Sequence, residues 1–236
     1  MNTRRWIACV MVVAAALGGC RSKDKDKGTG RSGTPTTPPG LESSSTPLGQ
    51  DVNARDEMGF TQLHDAAARR KGIADLIRRG ADVNAKDKEM GWTALHWAAA
   101  DGDVDMIEQL LAARADVDAT DAAGKTPLHE ACRSGQVSAV QALLTAHANP
   151  KLADLMGRTP LHYAVLAGNR AIVDLLLGKR VDVNAATKDG QTPLQMALVG
   201  GQGEIVDLLR SHGATPVALP GRQNPLPTPP PASRPS

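Results

Sequence analysis

A four-residue anchor recurs along this chain at a nearly constant interval, and that repetition limits the folds open to it. The anchor consists of Thr, a second residue that varies, Leu, and then His or Gln. It begins at Thr61, Thr93, Thr126, Thr159 and Thr192, in steps of 32, 33, 33 and 33 residues. A fixed period of this length predicts an array of similar structural units that stack side by side, not one globule around a central core.

The third copy shows what each unit is expected to form. Residues 121–124 read Asp-Ala-Ala-Gly, which favours a turn, because Asp bonds to its own backbone and Gly accepts positive φ angles. Thr126 then suits a helix N-cap and Pro127 the first helical position. A second helix is predicted from the helical spacing of Val140, Leu143 and Leu144. Helices this short are unstable alone, so the copies must stabilise one another by stacking.

Composition agrees with an array and excludes some partners. Aromatic residues make up only 2% of the chain, which suits a thin core of Ala, Leu and Val repeated in every copy. The chain has 27 Lys+Arg and 25 Asp+Glu. Two of the cations, Arg4 and Arg5, lie in a segment that we expect to be removed, which leaves 25 of each sign. A neutral mature chain has no overall attraction to nucleic acid.

The repeating unit resembles the ankyrin repeat. The signature T-P-L-H-x-A of that family is present at residues 126–131 and 159–164, and the closing Gly-Ala-Asp-Val-Asn occupies 80–84. The resemblance implies an all-α solenoid of helix-turn-helix units joined by β-hairpin-like turns. About five repeats are expected within residues 50–214. It also implies that the anchor histidine forms hydrogen bonds within the framework of turns.

The pattern also assigns core and end positions. Core side chains of the second and fourth copies are predicted to be Leu95, Ala98, Ala99, Ile107, Leu110, Leu111, Leu161, Ala164, Val165, Ile172, Val173, Leu176 and Leu177. The span from Thr61 to Gly80 in the first copy is two residues shorter than the equivalent span of the third, which predicts a trimmed loop between the helices of the first copy. Its basic residues fit the polar outer surface that a terminal repeat needs, although a basic binding patch is the alternative; they are Arg69, Arg70, Lys71, Arg78 and Arg79.

The first residues have the pattern of an export signal. Arg4 and Arg5 precede an apolar run over 6–19, which is shorter than the roughly 20 residues of a spanning helix. Residues 17–20 read Leu-Gly-Gly-Cys, similar to the lipobox of bacterial lipoproteins. That likeness implies a signal peptide over 1–19, lipid on Cys20 and attachment to the bacterial envelope, with the outer membrane expected. An ordinary signal with an incidental Cys20 is the alternative. Residues 20–49 are predicted to form a disordered tether.

The recurring histidines and the internal cysteine are interpreted as structural. Equivalent side chains in adjacent helices lie about 8–10 Å apart, whereas zinc ligands each lie about 2 Å from the metal. A metal site is therefore not expected from His64, His96, His129 and His162. Cys132 occupies a small core position and is expected to be a buried thiol, with a redox role as the alternative. No catalytic constellation or cofactor site is recognisable, so the chain is not predicted to be an enzyme.

A partner-binding face is predicted from the positions that vary between copies. In ankyrin proteins these positions stand just before the anchor Thr and just after the anchor His. The aromatic residues of the mature chain all occupy them, together with three methionines. The predicted binding residues are Met58, Phe60, Met90, Trp92, Trp97, Met156 and Tyr163. We expect an exposed apolar face centred on copies one and two; packing of these side chains against neighbouring turns is the alternative.

Residues 215–236 are rich in proline and are predicted to be a disordered tail, or else a ligand for another protein. The chain as a whole is expected to be a non-catalytic module that binds an unidentified protein and is held at the membrane by its N-terminal lipid. More particular alternatives are an immunity protein that masks a toxin, a helper of an envelope enzyme such as a catalase, and a structural spacer.

Overall fold

The computed structural model describes residues 51–216, which contain ten short helices, two in each of five copies. The predicted signal peptide, the lipidated Cys20, the tether and most of the proline-rich tail lie outside these residues. The helices are α1 (Gln62–Arg69), α2 (Ile73–Arg78), α3 (Ala94–Asp101), α4 (Val104–Ala112), α5 (Pro127–Arg133), α6 (Val137–Thr145), α7 (Pro160–Leu166), α8 (Arg170–Leu177), α9 (Pro193–Val199) and α10 (Gly203–Ser211). None of the helices between residues 51 and 216 has the length and apolar character that crossing a bilayer requires.

Each first helix begins where the anchor predicts. The anchor Thr of every copy has an extended backbone and occupies the N-cap, as Thr126 does with φ −94° and ψ 167°. Proline occupies the first helical turn in copies three to five, where its missing N–H has no intrahelical partner to lose. The anchor therefore marks the start of the first helix in each of the five copies.

Copies stack in two layers. The odd-numbered helices pack on one another in chain order, and the even-numbered helices form the second layer in the same way. The turns also join their neighbours, since the N–H of Ala122 donates to the carbonyl of Met90 at 2.9 Å and that of Leu155 to Ala123 at 2.9 Å. This arrangement confirms the predicted all-α array of helical hairpins. Residues 51–216 contain no strand, so the hairpin-like turns bond to each other without forming a sheet.

The core follows the stacking and is repeated in every copy. All but one of the predicted core side chains of copies two and four are buried; Leu111 is only partly buried. The prediction for the first copy was partly wrong. Its helices are joined by three residues, as in copies three to five, but α2 has six residues where α6 has nine. The shortening therefore falls in the second helix and not in the loop.

Asparagines at three of the five junctions tie one closing turn to the next. Asn53 donates to the carbonyl of Gly80 at 3.1 Å and accepts from the N–H of Asp82 at 2.7 Å. Asn84 and Asn184 each make the same pair of bonds one copy further on. Asp118 accepts from the N–H of Asn149 at 2.9 Å, but a carboxylate cannot donate the second bond. Lys151, at the corresponding position of copy three, has no side-chain acceptor at all.

Truncation of a central leucine tests this core. Leu110→Ala and Leu176→Ala remove side chains that are completely buried, so each is expected to lower the free energy of unfolding by about 2–5 kcal/mol. Leu166→Ala is the matched control, because Leu166 is exposed and its truncation should change stability by less than about 0.5 kcal/mol. Urea denaturation followed by circular dichroism measures both. Equal losses at Leu110 and Leu166 would contradict the assignment.

Candidate protein-binding face

Four buried histidines each form a hydrogen bond to the next copy. The Nδ1 atom of His129 accepts from the N–H of Thr126 at 3.0 Å, and its Nε2 atom lies 3.2 Å from the carbonyl oxygen of Arg158 in the next copy. His64, His96 and His162 repeat both contacts, with Nε2 to carbonyl distances of 3.1, 3.1 and 3.3 Å. The predicted structural role of the anchor histidine is thus confirmed.

These contacts fix the protonation of the imidazoles. A backbone N–H can only donate and a carbonyl can only accept, so Nδ1 must be unprotonated and Nε2 must carry the hydrogen. Burial lowers the pKa of His129 to about 4, against which the nearby carbonyl and carboxylates act only partly. Burial also lowers the pKa of the other three anchor histidines. The bridging form is therefore the neutral one.

In copy five, Gln195 replaces the histidine. Its Oε1 atom accepts from the N–H of Thr192 at 3.0 Å, so the helix-start half of the histidine's role is kept. In the other four copies the imidazole also reaches a carbonyl of the following copy, and copy five is the last copy that the structure describes.

The turns that precede the anchors are held by aspartates. In copy three, one Asp121 oxygen accepts from the N–H groups of Ala123 and Lys125, both at 2.8 Å. Asp154 does the same in copy four for Met156 and Arg158. Each of these carboxylates has a second oxygen that faces the interior of the array.

Those second oxygens bind aromatic side chains. Trp92 Nε1 donates to Asp121 at 3.2 Å, and the Tyr163 hydroxyl donates to Asp154 at 2.7 Å. Burial alone would raise the pKa of Asp154, but the Tyr163 hydroxyl and the turn N–H groups lower it below its usual value. Burial together with the Asp154 carboxylate raises the pKa of Tyr163. The aromatic groups thus belong to the turn framework.

The predicted exposed aromatic face is accordingly wrong for three of its members. Trp92, Trp97 and Tyr163 are buried, and the rings of Trp92 and Trp97 meet edge to face with centroids 4.9 Å apart. Phe60 and Met90 are partly buried against the same core. Of the seven predicted binding residues, Met58 and Met156 are exposed. Large rings at variable positions fill gaps between adjacent turns, which is the packing alternative.

Most of the exposed large apolar side chains lie in copies four and five. Within residues 51–216 they are Met58, Leu155, Met156, Leu166, Leu198 and Val199. Leu155 and Met156 form the tip of the fourth turn. Leu166 and Val199 end α7 and α9 and are 54% and 91% exposed. No sequence pattern predicted the exposure of Leu166 and Val199, because a leucine or valine at the end of a helix fits the repeat pattern whether it is buried or exposed.

Two adjacent positions at the end of each first helix face different ways. Six residues after the anchor Thr stands a residue that the next copy covers in copies one to four. We call this set the stacking row, and it comprises Ala67, Ala99, Cys132, Val165 and Leu198. Seven residues after the Thr stands the open-face row, comprising Ala68, Ala100, Arg133, Leu166 and Val199. Leu166 is exposed although copy five follows it, whereas the smaller Ala100 of the same row is buried. Stacking therefore leaves Leu166 uncovered.

A charged cluster in copy three adjoins the apolar part of that row. Glu130 is completely buried, and its two oxygens bond to Lys125 Nζ at 2.6 Å and to Arg133 Nε at 2.7 Å. Lys125 also lies 3.6 Å from Asp121. The two cations are partly exposed, whereas the carboxylates lie beneath them. Copy three therefore presents positive groups outward next to Leu166 of copy four.

Cys132 is fully buried in the stacking row, as predicted, and its burial raises the pKa of the thiol. A thiol of this kind is a poor nucleophile because little thiolate forms. Among residues 51–216, no three His, Cys, Asp or Glu side chains are grouped so that they could hold a metal ion.

Five stacked helical hairpins, with turns held by aspartates and joined through buried histidines, define a helical repeat protein. The family profile described as "Ankyrin repeats (3 copies)" matches residues 63–154 and 140–218, well over half of the chain. The chain belongs to the ankyrin-repeat family.

Individual relatives are similar to parts of the array. Palmitoyltransferase Hip14 of Drosophila melanogaster is 41% identical over 78 residues, which is 32% of this chain and 12% of the relative. The human inhibitor of Bruton tyrosine kinase is 42% identical over 59 residues, 24% of this chain and 4% of the relative. Human protein phosphatase 1 regulatory subunit 27 is 38% identical over 68 residues, 28% of this chain and 44% of the relative. The chain thus spans less than half the length of each.

Acidification tests the histidine bridges. The folded-state pKa of His129 is about 4, below the ordinary value of 6.5, so between these values the unfolded chain binds a proton that the folded chain excludes. The free energy of unfolding should therefore fall as the pH falls from about 6.5 to about 4, and the contribution of His129 should level off below that window. Urea titrations at a series of pH values measure this dependence.

Two glutamine variants separate the bridge from other titrations. In His129→Gln the fall in stability between pH 6.5 and 4 should be smaller, because the glutamine does not titrate and can still cap Thr126 as Gln195 caps Thr192. His147→Gln, which changes an exposed histidine outside the bridges, is the matched control for the loss of a histidine. Identical pH profiles for wild type and His129→Gln would refute the assignment.

Proposed function

We propose that this ankyrin array binds a protein partner through the turn tips and first helices of copies four and five. The supporting observation is the distribution of exposed apolar side chains. Five of the six in residues 51–216 belong to these two copies. Isolated exposed apolar residues are common on proteins, but a contiguous group is typical of an interaction site.

Burial of the open-face row supplies the free energy of binding. Leu166 and Val199 occupy equivalent positions on packed neighbouring helices, so their side chains can be covered by one segment of a partner. Covering an aliphatic side chain of this size contributes roughly 1.5–3 kcal/mol before the costs of association. Leu155 and Met156 extend the apolar surface to the turn tip of the same copy.

The charged cluster of copy three orients the partner. Arg133 is held by the buried Glu130 through its Nε atom at 2.7 Å, which keeps its guanidinium in place beside Leu166. A preordered arginine beside an apolar patch is typical of binding hot spots, because little side-chain entropy is lost on contact. The printed names of two relatives, an inhibitor of a kinase and a regulatory subunit of a phosphatase, agree with a role in which the array acts on another protein.

Capture of the partner tests the location of this face. A variant with Leu166→Ser and Val199→Ser should lose most cross-linking to its partner in native membranes, and its melting temperature should stay close to wild type because both side chains are exposed. Met58→Ser is the matched control, since Met58 is an exposed apolar residue at the opposite end of the array. Loss of the partner with Met58→Ser alone would move the face to copy one. Unchanged capture in both would contradict a binding face at Leu166 and Val199.

We also propose that the array is tethered to the bacterial envelope by lipid on Cys20, within the sequence Leu-Gly-Gly-Cys at 17–20. Stable anchoring needs more than one acyl chain, which a diacylglyceryl cysteine supplies. The tether of residues 21–49 would then reach roughly 30 Å from the membrane. An array bound in this way searches for its partner along the membrane surface.

The anchor is testable by one substitution. Cys20→Ser should abolish incorporation of labelled palmitate and move the protein from the membrane fraction to the soluble fraction. Cys9→Ser is the control, because Cys9 lies within the apolar run of the signal and not at its end. Retained label in Cys20→Ser would refute lipidation at that residue.

A further inference from the structure

The fifth copy has an uncovered apolar end. In the stacking row, Ala67, Ala99, Cys132 and Val165 are all completely buried, because the first helix of the next copy covers each of them. Leu198 occupies the same position in copy five and is 49% exposed. A repeat array needs a polar or covered face at its end to remain soluble.

Only the layer of first helices is left open. At the corresponding end of the second layer, the series Leu111, Leu144 and Leu177 is continued by Arg210, which is exposed. That substitution already gives α10 a polar outer surface. The uncovered area is therefore restricted to α9, around Leu198.

The chain that leaves α10 enters the turn of a further copy. Gly213 has a φ of +88°, close to the +83° of Gly80 at the end of copy one. Asn184 donates to the carbonyl of Gly213 at 3.2 Å and accepts from the N–H of Thr215 at 2.9 Å. This is the pair of bonds that Asn53 makes to Gly80 and Asp82, so residues 213–216 follow the path between two copies.

The sequence beyond that turn contains another anchor. Asn224-Pro225-Leu226 lies 32 residues after Thr192-Pro193-Leu194, the same step that separates Thr61 from Thr93. Asn is as good an N-cap as Thr, and Pro suits the first helical position. The prolines at 227 and 229–231 then prevent a helical hairpin. The sequence of this segment therefore carries the anchor pattern of a sixth copy, followed by prolines that disfavour helices.

We propose that residues 217–227 continue the array as an end cap, with Leu226 packed against Leu198. The anchor leucines of the five copies are all buried, so Leu226 would take the same place one step further on. The ten residues from 217 to 226 can span up to roughly 33 Å when extended, which exceeds the 8–10 Å between adjacent helices. The cap covers the stacking row and leaves the open-face residues Leu166 and Val199 free.

Amide hydrogen exchange of α9 in the full chain and in two truncations tests the cap. Removal of residues 217–236 should accelerate exchange in 193–199 by roughly five-fold or more, since the coupling of two packed side chains reaches that size. Removal of 228–236 alone should leave exchange unchanged, because the proposed cap is retained. Unchanged exchange after removal of 217–236 would overturn the proposal.

Point variants identify the contact. Leu198→Ser and Leu226→Ser should each accelerate exchange in 193–199, and the double variant should be no faster than the faster single variant. Purely additive effects would overturn the pairing of these two leucines. If Leu198→Ser impairs partner capture while removal of 217–236 leaves exchange unchanged, a partner covers Leu198 and the cap is refuted. The capture test on Leu166 and Val199 is decided independently.

Discussion

The neutral imidazole that bridges two copies is the contact on which the rest of the array depends. Each anchor histidine accepts from the N–H of the N-cap Thr of its own helix and donates its own N–H to a carbonyl of the following copy. Helix start and copy stacking are therefore properties of one side chain. Because short helices are unstable alone, it matters that the side chain that begins a helix also bonds to the neighbouring copy that stabilises it.

The aspartates of the turns likewise make two kinds of contact each, at the turn tips. One oxygen of Asp121 closes its own turn, while the other receives the indole of Trp92 from the preceding copy. Asp154 uses its second oxygen for Tyr163 of the same copy. The turn tips are thus supported from inside the array, and backbone bonds to the neighbouring turns also hold the exposed pair Leu155 and Met156 in position.

Periodicity predicted the fold well because the same signal is repeated five times. The helix starts, the buried leucines and the role of the histidines all follow from residues whose neighbours are known from the repeat itself. The binding face could not be predicted as safely. The prediction of the binding face treats variable positions as exposed, but Trp92 and Trp97 are large enough to reach the adjacent turn and are buried there. The exposure of Leu166 depends on the direction of one helix end, which periodicity does not encode.

The ties between closing turns also decide how the array responds to force. Asparagine supplies two bonds at the first, second and last junctions, Asp118 supplies one, and Lys151 has no acceptor to offer at the junction between copies three and four. A load applied between a membrane-held N-terminus and a partner on copies four and five would cross that junction. The closing turns of copies three and four would separate first, while the His129 bridge and the bond from Leu155 to Ala123 still hold the two copies together.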